Sequence, residues 1–204
     1  MAIFKKVAKA GKYQDDYAIH NLITYITRPD KTPSQMIGGY GVDPDHIADS
    51  MVQISNQFHK NSRIRLHHFI VSFCKCECSA PGVLYCIGNA ICNQIGPEYQ
   101  IAFALHEDTE YPHLHFVFNA VSHIDGHRYR GGKKEYQELY NLVSSRVSII
   151  QSHTRYHITI YMIQKRSIYQ NTFSHKLLEM MSIRIFVALR HQNHGSTALL
   201  LLAL

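Results

Sequence analysis

The chain has 204 residues, which is enough for one domain with a buried core and an extension. Hydrophobic residues make up 46% of it, and the 13 tyrosines and 9 phenylalanines exclude a largely disordered polypeptide. The formal net charge is +6, but residues 1–150 are nearly neutral and residues 151–204 carry six Lys or Arg against Glu179 alone. Binding to a nucleic acid would therefore come from local basic patches and not from the bulk charge.

The two ends of the chain argue against secretion and against a membrane anchor. Residues 1–6 carry two lysines with no apolar segment behind them, unlike a secretory leader. The apolar run at 197–204 is far shorter than the ~20 residues that span a bilayer. The five cysteines are an odd number, which disfavours a disulfide framework. We expect a cytoplasmic protein without membrane insertion.

The spacing of apolar residues predicts strands that alternate with helices. In chain order, the predicted elements are a strand at 2–7, a helix at 15–27, a loop at 38–41, a helix at 43–60 capped by Asp43 or Asp45, a strand at 65–73, a helix at 80–95, strands at 100–106 and 112–121, and a helix at 135–149. Arg28 precedes a proline and is disfavoured in helical geometry, so the first helix ends there with Tyr25 on its last turn. This order describes an α+β fold, with one antiparallel sheet and helices packed on one side of it.

Three histidines lie where two paired strands would bring them together. Successive side chains of a strand point to opposite faces, so His113 and His115 share one face, about 6.6 Å apart. A hairpin through Asp108–Pro112 places His106 next to them. A lone histidine on a strand is more often a surface or core residue, but three neutral imidazoles with open remaining positions are typical of a catalytic metal site. A carboxylate could orient one of the rings, and Asp108, Glu107 and Glu110 are the candidates.

The spacing H-x-D-x-x-x-x-H-x-H-x-x-x-N, from His106 to Asn119, resembles the metal motif of the relaxase/mobilization nucleases in the HUH endonuclease superfamily. Two further segments, Asn21–Thr32 and Leu66–Phe73, are similar to the family's tyrosine segment and to the strand that precedes the metal motif. The resemblance covers roughly residues 1–147. It implies a ferredoxin-like palm, and an enzyme that nicks one DNA strand at a transfer origin.

The resemblance also implies roles for individual residues. Tyr25 would attack the phosphodiester and form a covalent 5′-phosphotyrosyl intermediate, with His106, His113 and His115 holding a divalent metal ion, Mn²⁺ or Mg²⁺. Because a phenol has a pKa near 10, the attack needs a base, for which the candidates are a neighbouring carboxylate such as Asp108, a histidine or metal-bound water. The residues that we expect to contact DNA are Arg28, Lys31, Ser72, Asn119, Arg128, Tyr129, Arg130 and Lys133. The expected partners are single-stranded DNA at the transfer origin, accessory mobilization proteins and a coupling protein, and the enzyme is expected to be a monomer.

Other interpretations remain open at this point. Tyr136 and Tyr140 are four residues apart on one helix face, an arrangement that resembles rolling-circle replication initiators and some transposases. A metal-dependent hydrolase without a covalent intermediate would use the same histidines. The segment 151–204 is either a basic helical appendage that touches DNA or sequence that is not native. Since relaxases of this type generally run further, we favour a truncated or frameshifted end, in which case the chain would bind metal and DNA but turn over poorly, or would fail to fold.

Overall fold

The structure is a computed structural model that describes residues 2–7, 13–74 and 80–168. Five strands and four α-helices lie within these ranges. The strands are β1 (Ile3–Lys6), β2 (Ile37–Tyr40), β3 (Leu66–Ser72), β4 (Ile101–His106) and β5 (His113–Asn119). The helices are α1 (Asp16–Ile26), α2 (Ile47–Gln57), α3 (Pro81–Ile95) and α4 (Lys133–Ile168), with one 3-10 turn at Ser34–Met36. None of the described helices is long and apolar enough to cross a bilayer, and most of the predicted tail, residues 169–204, lies outside the described residues.

All five strands form one sheet in the order β1-β3-β5-β4-β2, and every neighbouring pair is antiparallel. The predicted α+β class is therefore confirmed. The predicted hairpin of β4 and β5 is also confirmed, since His106 is paired directly with His113 and Ala104 with His115. Strand β5 lies at the centre of the sheet, so the two histidines that it carries have a paired strand on either side.

Helices cover both faces of the sheet, so the prediction that they pack on one side is wrong. Helices α3 and α4 bury the phenylalanines and leucines of β4 and β5, and helices α1 and α2 bury the alternate positions. The buried residues of this second layer are Ile19, Leu22, Ile23, Ile26, Ile47, Ala48, Met51, Leu66, Ala102, Ala104 and Val117. The reason is that both sets of alternating side chains in β4 and β5 are apolar away from the histidines, and a sheet that is apolar on both faces must be covered on both.

The segment predicted as a loop at 38–41 instead contains the edge strand β2, which pairs with β4. Glycines are poor strand formers, and for that reason the pattern indicated a loop. Here they allow a close approach: a Cβ atom on Gly38 would lie 2.5 Å from Cε1 of Phe103, and one on Gly39 would lie 2.6 Å from the carbonyl oxygen of Ile101. The glycines are therefore a packing requirement of this strand.

Local hydrogen bonds fix both ends of the first helix, which carries the predicted nucleophile, and the Thr27 amide closes its last turn by donating to the carbonyl of Ile23 at 3.0 Å. The Asp15 carboxylate accepts a hydrogen bond from the amide of Ala18 at 2.7 Å and begins α1. The helix ends at Ile26, so Tyr25 does lie on its last turn, as predicted. Helix α2 begins later than predicted, with His46 at the N-cap position in place of either aspartate.

Candidate active site

The three predicted histidines converge on one face of the sheet, at the end where β4 turns into β5. One nitrogen from each of His106, His113 and His115 lies within 4.8 Å of the others, a grouping that could hold a metal ion. His106 and His115 are almost fully buried, and His113 is partly exposed. The site therefore has a buried floor with one side open to solvent.

Hydrogen bonds hold each imidazole ring through one nitrogen. His106 donates from Nε2 to the carbonyl of Ile26 at 2.8 Å, and His113 donates from Nδ1 to the carbonyl of Tyr111 at 3.0 Å. His115 is bonded through Nδ1 to His68 Nε2 at 2.9 Å. A neutral imidazole that uses one nitrogen in this way keeps the other available as a metal ligand.

The surroundings also favour the neutral form of His106 and His115, which is the form that binds a metal. Burial, followed by the neighbouring histidines, lowers the pKa of His115 to about 2. Burial likewise lowers the pKa of His106, and His113 adds to the effect. The neutral state of these two buried rings is therefore a consequence of the fold.

The donor set fits a divalent transition metal. The Nε2 atom of His115 is buried and has no hydrogen-bond partner among the described residues. A buried polar atom without a partner is costly and needs an explanation. A metal ion held by the three rings would supply that partner, and imidazole suits Mn²⁺ or a similar ion better than Mg²⁺, which prefers oxygen.

The Tyr25 ring lies directly beside the histidines. Its centre is 5.7 Å from the ring of His115 and 6.1 Å from that of His106, edge-on to both. The hydrogen bond from His106 to Ile26 joins the end of α1 to β4, and it thereby holds Tyr25, the residue before Ile26, close to the sheet. With 43% of its surface exposed, Tyr25 can be reached by a substrate from outside.

A salt bridge joins the segment after α1 to the turn between β4 and β5. Lys31 Nζ lies 2.8 Å from Asp108 Oδ2 and 5.8 Å from the centre of the Tyr25 ring. Thr32, the next residue, is buried and donates its hydroxyl proton to the carbonyl of Leu105. Asp108 therefore bonds the lysine and none of the three histidines, unlike the ring-orienting carboxylate that the sequence suggested. The hydrogen bond with Lys31 lowers the pKa of Asp108.

Comparison with known proteins connects this geometry to a family. The model of the relaxase family "MobA/VirD2-like, nuclease domain" matches residues 25–146, which is more than half of the chain. The chain belongs to this family. The matched segment of the relaxase domain begins at Tyr25 and includes all three histidines, and the family implies a DNA-nicking endonuclease.

Two curated proteins show the same relationship at modest identity. The relaxase domain is 27% identical over 136 residues to the group II intron-interrupted relaxase LtrB of Lactococcus lactis subsp. cremoris, covering 53% of this chain and 24% of LtrB. It is 29% identical over 97 residues to protein rlx of Staphylococcus aureus, covering 48% of this chain and 30% of rlx. The chain thus spans about a quarter to a third of these relatives. No solved structure matches it significantly.

Two predicted DNA contacts lie near the histidines of the relaxase domain. Ser72 is paired with His113 across β3 and β5, so the two side chains are on the same face of the sheet. Arg28 follows α1 and is exposed, but its guanidinium group forms hydrogen bonds of 2.9 and 2.7 Å with Asp30. A phosphate that binds Arg28 would have to share it with this carboxylate.

The predicted DNA-binding loop 128–134 lies on the other face of the sheet. Tyr129 packs against His67, whose side chain lies on the face of β3 opposite to the histidine triad. The Tyr129 hydroxyl donates to the carbonyl of Glu135, and burial raises the pKa of this phenol to about 12. Arg128 donates to two backbone carbonyls, those of Ile64 and Lys60. The two side chains therefore support the loop itself, and their contacts with DNA stay predictions; Arg130 and Lys133 are exposed in the same loop.

Asn119 is also a structural residue. It has 0% exposure and lies at the end of β5 opposite to His113. Its amide donates to the carbonyl of Met51 at 2.9 Å and to Gln100 Oε1 at 3.1 Å, and its Oδ1 accepts from the Val121 amide at 3.0 Å. A DNA contact would require these bonds to break, so the side chain has a structural role here, and its contact with DNA stays a prediction.

The alternative nucleophiles, Tyr136 and Tyr140, are separated from the histidines by the sheet. Their rings pack on Phe4 of β1, with centres 5.6 and 5.8 Å away. Phe4 in turn contacts Phe69 and belongs to the layer covered by α3 and α4. These two tyrosines therefore cover the core and do not approach the histidine triad.

The sequence reasoning missed His68, the bonding partner of His115. It noted the segment Leu66–Phe73 as a strand but gave the histidines in it no role. A signal was present: His68 and Ser72 have the same parity along β3, so both must lie on one face. The order of the strands in the sheet, which is needed to place that face beside His115, is not contained in the periodicity.

Proposed function

We propose that the protein is a DNA relaxase, which nicks one strand of DNA at a specific site in the transfer origin of a plasmid or mobile element, for conjugative mobilization. Tyr25 is the nucleophile and becomes joined to the 5′ phosphate of the cut strand. The observation that carries the proposal is the position of the Tyr25 ring, 5.7 Å from the ring of His115 and 6.1 Å from that of His106. All three residues lie within the segment that matches the relaxase family.

The proposed reaction is a phosphoryl transfer that retains the energy of the phosphodiester. The hydroxyl oxygen of Tyr25 forms a bond to phosphorus, and the bond from phosphorus to the 3′ oxygen of the preceding nucleotide breaks. The phenolic proton passes to a base or to solvent, and the departing 3′ oxygen takes up a proton to become a free hydroxyl. Because the covalent product is still a phosphodiester, the reverse reaction rejoins the strand without ATP.

The three histidines are the residues that would hold the divalent ion. Such an ion, when bound, neutralises charge on a non-bridging phosphate oxygen, a Lewis-acid effect worth several kcal/mol. The protein contributes by fixing the three rings through hydrogen bonds and by keeping His106 and His115 neutral through burial. We propose Mn²⁺, with Mg²⁺ as the alternative.

Lys31 and Asp108 are proposed to support the nucleophile. The Lys31 ammonium group, 5.8 Å from the centre of the Tyr25 ring, stabilises negative charge that develops on the phenol oxygen. Asp108 holds this ammonium group in place at 2.8 Å. We therefore propose that Asp108 acts through Lys31 and is not the group that removes the phenolic proton.

The DNA must be locally single-stranded to bring a phosphate between the tyrosine and the histidines. Ser72 and Arg28 are proposed to hold the backbone near the site, and Arg130 and Lys133 to contact phosphates elsewhere on the surface. Contacts of this kind fix the position of the strand without reading its sequence, and they weaken as salt is added. The protein is proposed to act as a monomer with accessory mobilization proteins and a coupling protein.

The decisive experiment is an adduct assay with the whole chain. The protein is incubated with Mn²⁺ and a labelled single-stranded oligonucleotide from the transfer origin of its own genetic element, and the products are separated on a denaturing gel. We expect a covalent protein–DNA band that is lost in Tyr25→Phe and on addition of EDTA. The matched control is the double variant Tyr136→Phe/Tyr140→Phe, which also removes phenol hydroxyls but on the other face of the sheet, and it should retain the band.

Two outcomes would contradict the proposal. An adduct that persists in Tyr25→Phe and disappears in the double variant would assign the nucleophile to α4, as in the rolling-circle initiator alternative. Cleavage that depends on His106, His113 and His115 but gives no protein adduct would indicate a metal-dependent hydrolase.

A further inference from the structure

Two histidines outside the triad are buried next to each other on β3 and differ in the face that they occupy. His68 is 5% exposed and lies on the face of the triad, with its ring centre 5.2 Å from that of His115. His67 is 7% exposed and lies on the opposite face, stacked on Phe118 at 5.1 Å. The two are therefore matched in burial and chemistry, but only His68 touches the triad.

The hydrogen bond between His68 and His115 has a direction that can be worked out. It joins two ring nitrogens, His68 Nε2 and His115 Nδ1, at 2.9 Å, so one of them must carry the proton and the other must accept it. His115 Nε2 is buried without a hydrogen-bond partner among the described residues. A proton on that atom would be a buried donor with nothing to bind, whereas a bare Nε2 can take a metal ion as its partner. The proton of the neutral ring therefore belongs on Nδ1, and His68 is the acceptor.

The far side of His68 is consistent with this direction. If Nε2 of His68 accepts, its proton must be on Nδ1, and Nδ1 lies 3.4 Å from the hydroxyl group of Tyr13, which can accept it. Tyr13 is itself held next to the sheet, since its carbonyl accepts a bond from the amide of Arg65 at 2.8 Å. Tyr13, His68 and His115 thus form a chain of hydrogen bonds that ends at the triad.

We propose that His68 is a positioning residue that holds His115 in the one tautomer, protonated on Nδ1, that presents a bare Nε2 to a metal ion. The inference rests on the proposed function in one respect, namely that the triad binds a metal. It adds that the group accepting the proton of His115 is an imidazole, whereas metal-bound histidines usually donate theirs to a carboxylate or a backbone carbonyl. Because His68 is uncharged, it would not offset the positive charge of a bound metal ion as a carboxylate would. A site with more positive charge favours binding of an anionic phosphate.

The test measures binding of Mn²⁺ alone to the whole chain by titration calorimetry, with no DNA present. His68→Phe fills the same space without an acceptor, and we expect its Kd for Mn²⁺ to rise by about 10- to 100-fold. His68→Gln carries an amide oxygen that can reach the position of Nε2, so it should recover most of the affinity. His67→Phe is the matched control: it loses an equally buried imidazole and its bond of 3.0 Å to the Tyr129 carbonyl, yet its Kd should stay at the wild-type value.

A measurement on the unmodified protein makes the proposal independent of how well the variants fold. Nitrogen-15 NMR distinguishes a protonated ring nitrogen from a bare one, and without metal His115 should show a proton on Nδ1 and none on Nε2. The proposal is overturned if Nε2 carries the proton, if His68→Phe binds Mn²⁺ as tightly as the wild type, or if His67→Phe weakens binding equally. A wild-type chain that binds no Mn²⁺ would overturn the metal site of the proposed function and this inference with it, an outcome distinct from the other three.

Discussion

Replacing Asn119 with alanine separates a structural role for this side chain from a role in DNA binding. Three hydrogen bonds are lost, those with Met51, Gln100 and the amide of Val121, at 2.9, 3.1 and 3.0 Å. At about 1 kcal/mol each, the free energy of unfolding should fall by about 3 kcal/mol. The polar partners stay buried after the substitution, so little of this loss can be recovered by water.

The expected loss corresponds to a fall in Tm of about 6–12 °C, taking 2–4 °C per kcal/mol for a domain of this size. Thermal unfolding followed by circular dichroism measures it. The affinity for single-stranded DNA, measured by fluorescence anisotropy well below the Tm of the variant, should stay unchanged. A variant that melts like the wild type but binds DNA more weakly would refute the reasoning and restore Asn119 as a DNA contact.

Three further predictions concern stability and the environment of the nucleophile. Burial lowers the pKa of His67 to about 4, so as the pH falls the unfolded chain protonates this histidine before the folded chain does. The contribution of His67 to the free energy of unfolding should therefore fall by about 1.4 kcal/mol per pH unit between about pH 6.5 and pH ~4. Urea denaturation at several pH values should show this component in the wild type and not in His67→Phe. Lys31→Met should leave the Tm nearly unchanged, because its ion pair with Asp108 is open to solvent, yet it should slow adduct formation at Tyr25 roughly tenfold in a timed gel assay; equal rates would exclude a role for the ammonium group. Gly38→Ala should lower the Tm through a clash that costs about 1–3 kcal/mol, whereas Gly82→Ala, which meets open space, should leave the Tm unchanged or raise it.

The parts of the site that could be predicted are those that depend on neighbours in sequence. Alternation placed His113 and His115 on one face, and a short turn was enough to pair His106 with them. The proline after Arg28 placed Tyr25 on the last turn of its helix. Each of these inferences spans only a few residues, over which the backbone period determines where a side chain points.

The parts that could not be predicted depend on which distant segments are adjacent. The loop at 128–134 follows the histidines closely along the chain, but the sheet separates its Tyr129 from them. His68 is 47 residues from His115 and touches it only because β3 lies beside β5. Strand β2 was missed for a different reason. Gly38 and Gly39 are poor strand formers, and the close contacts that require glycine at these positions are made with the neighbouring strand β4.

The two halves of the candidate site differ in how firmly the fold holds them. His113 and His115 belong to the innermost strand, so they can move apart only when the sheet itself opens. Tyr25 is carried by the final turn of a helix, where fraying begins. Under the proposed function, opening of this turn, which requires the bond between His106 and Ile26 to break, would move the phenol and the DNA joined to it away from histidines that stay in place, and would let a joined strand leave and return to an unchanged site.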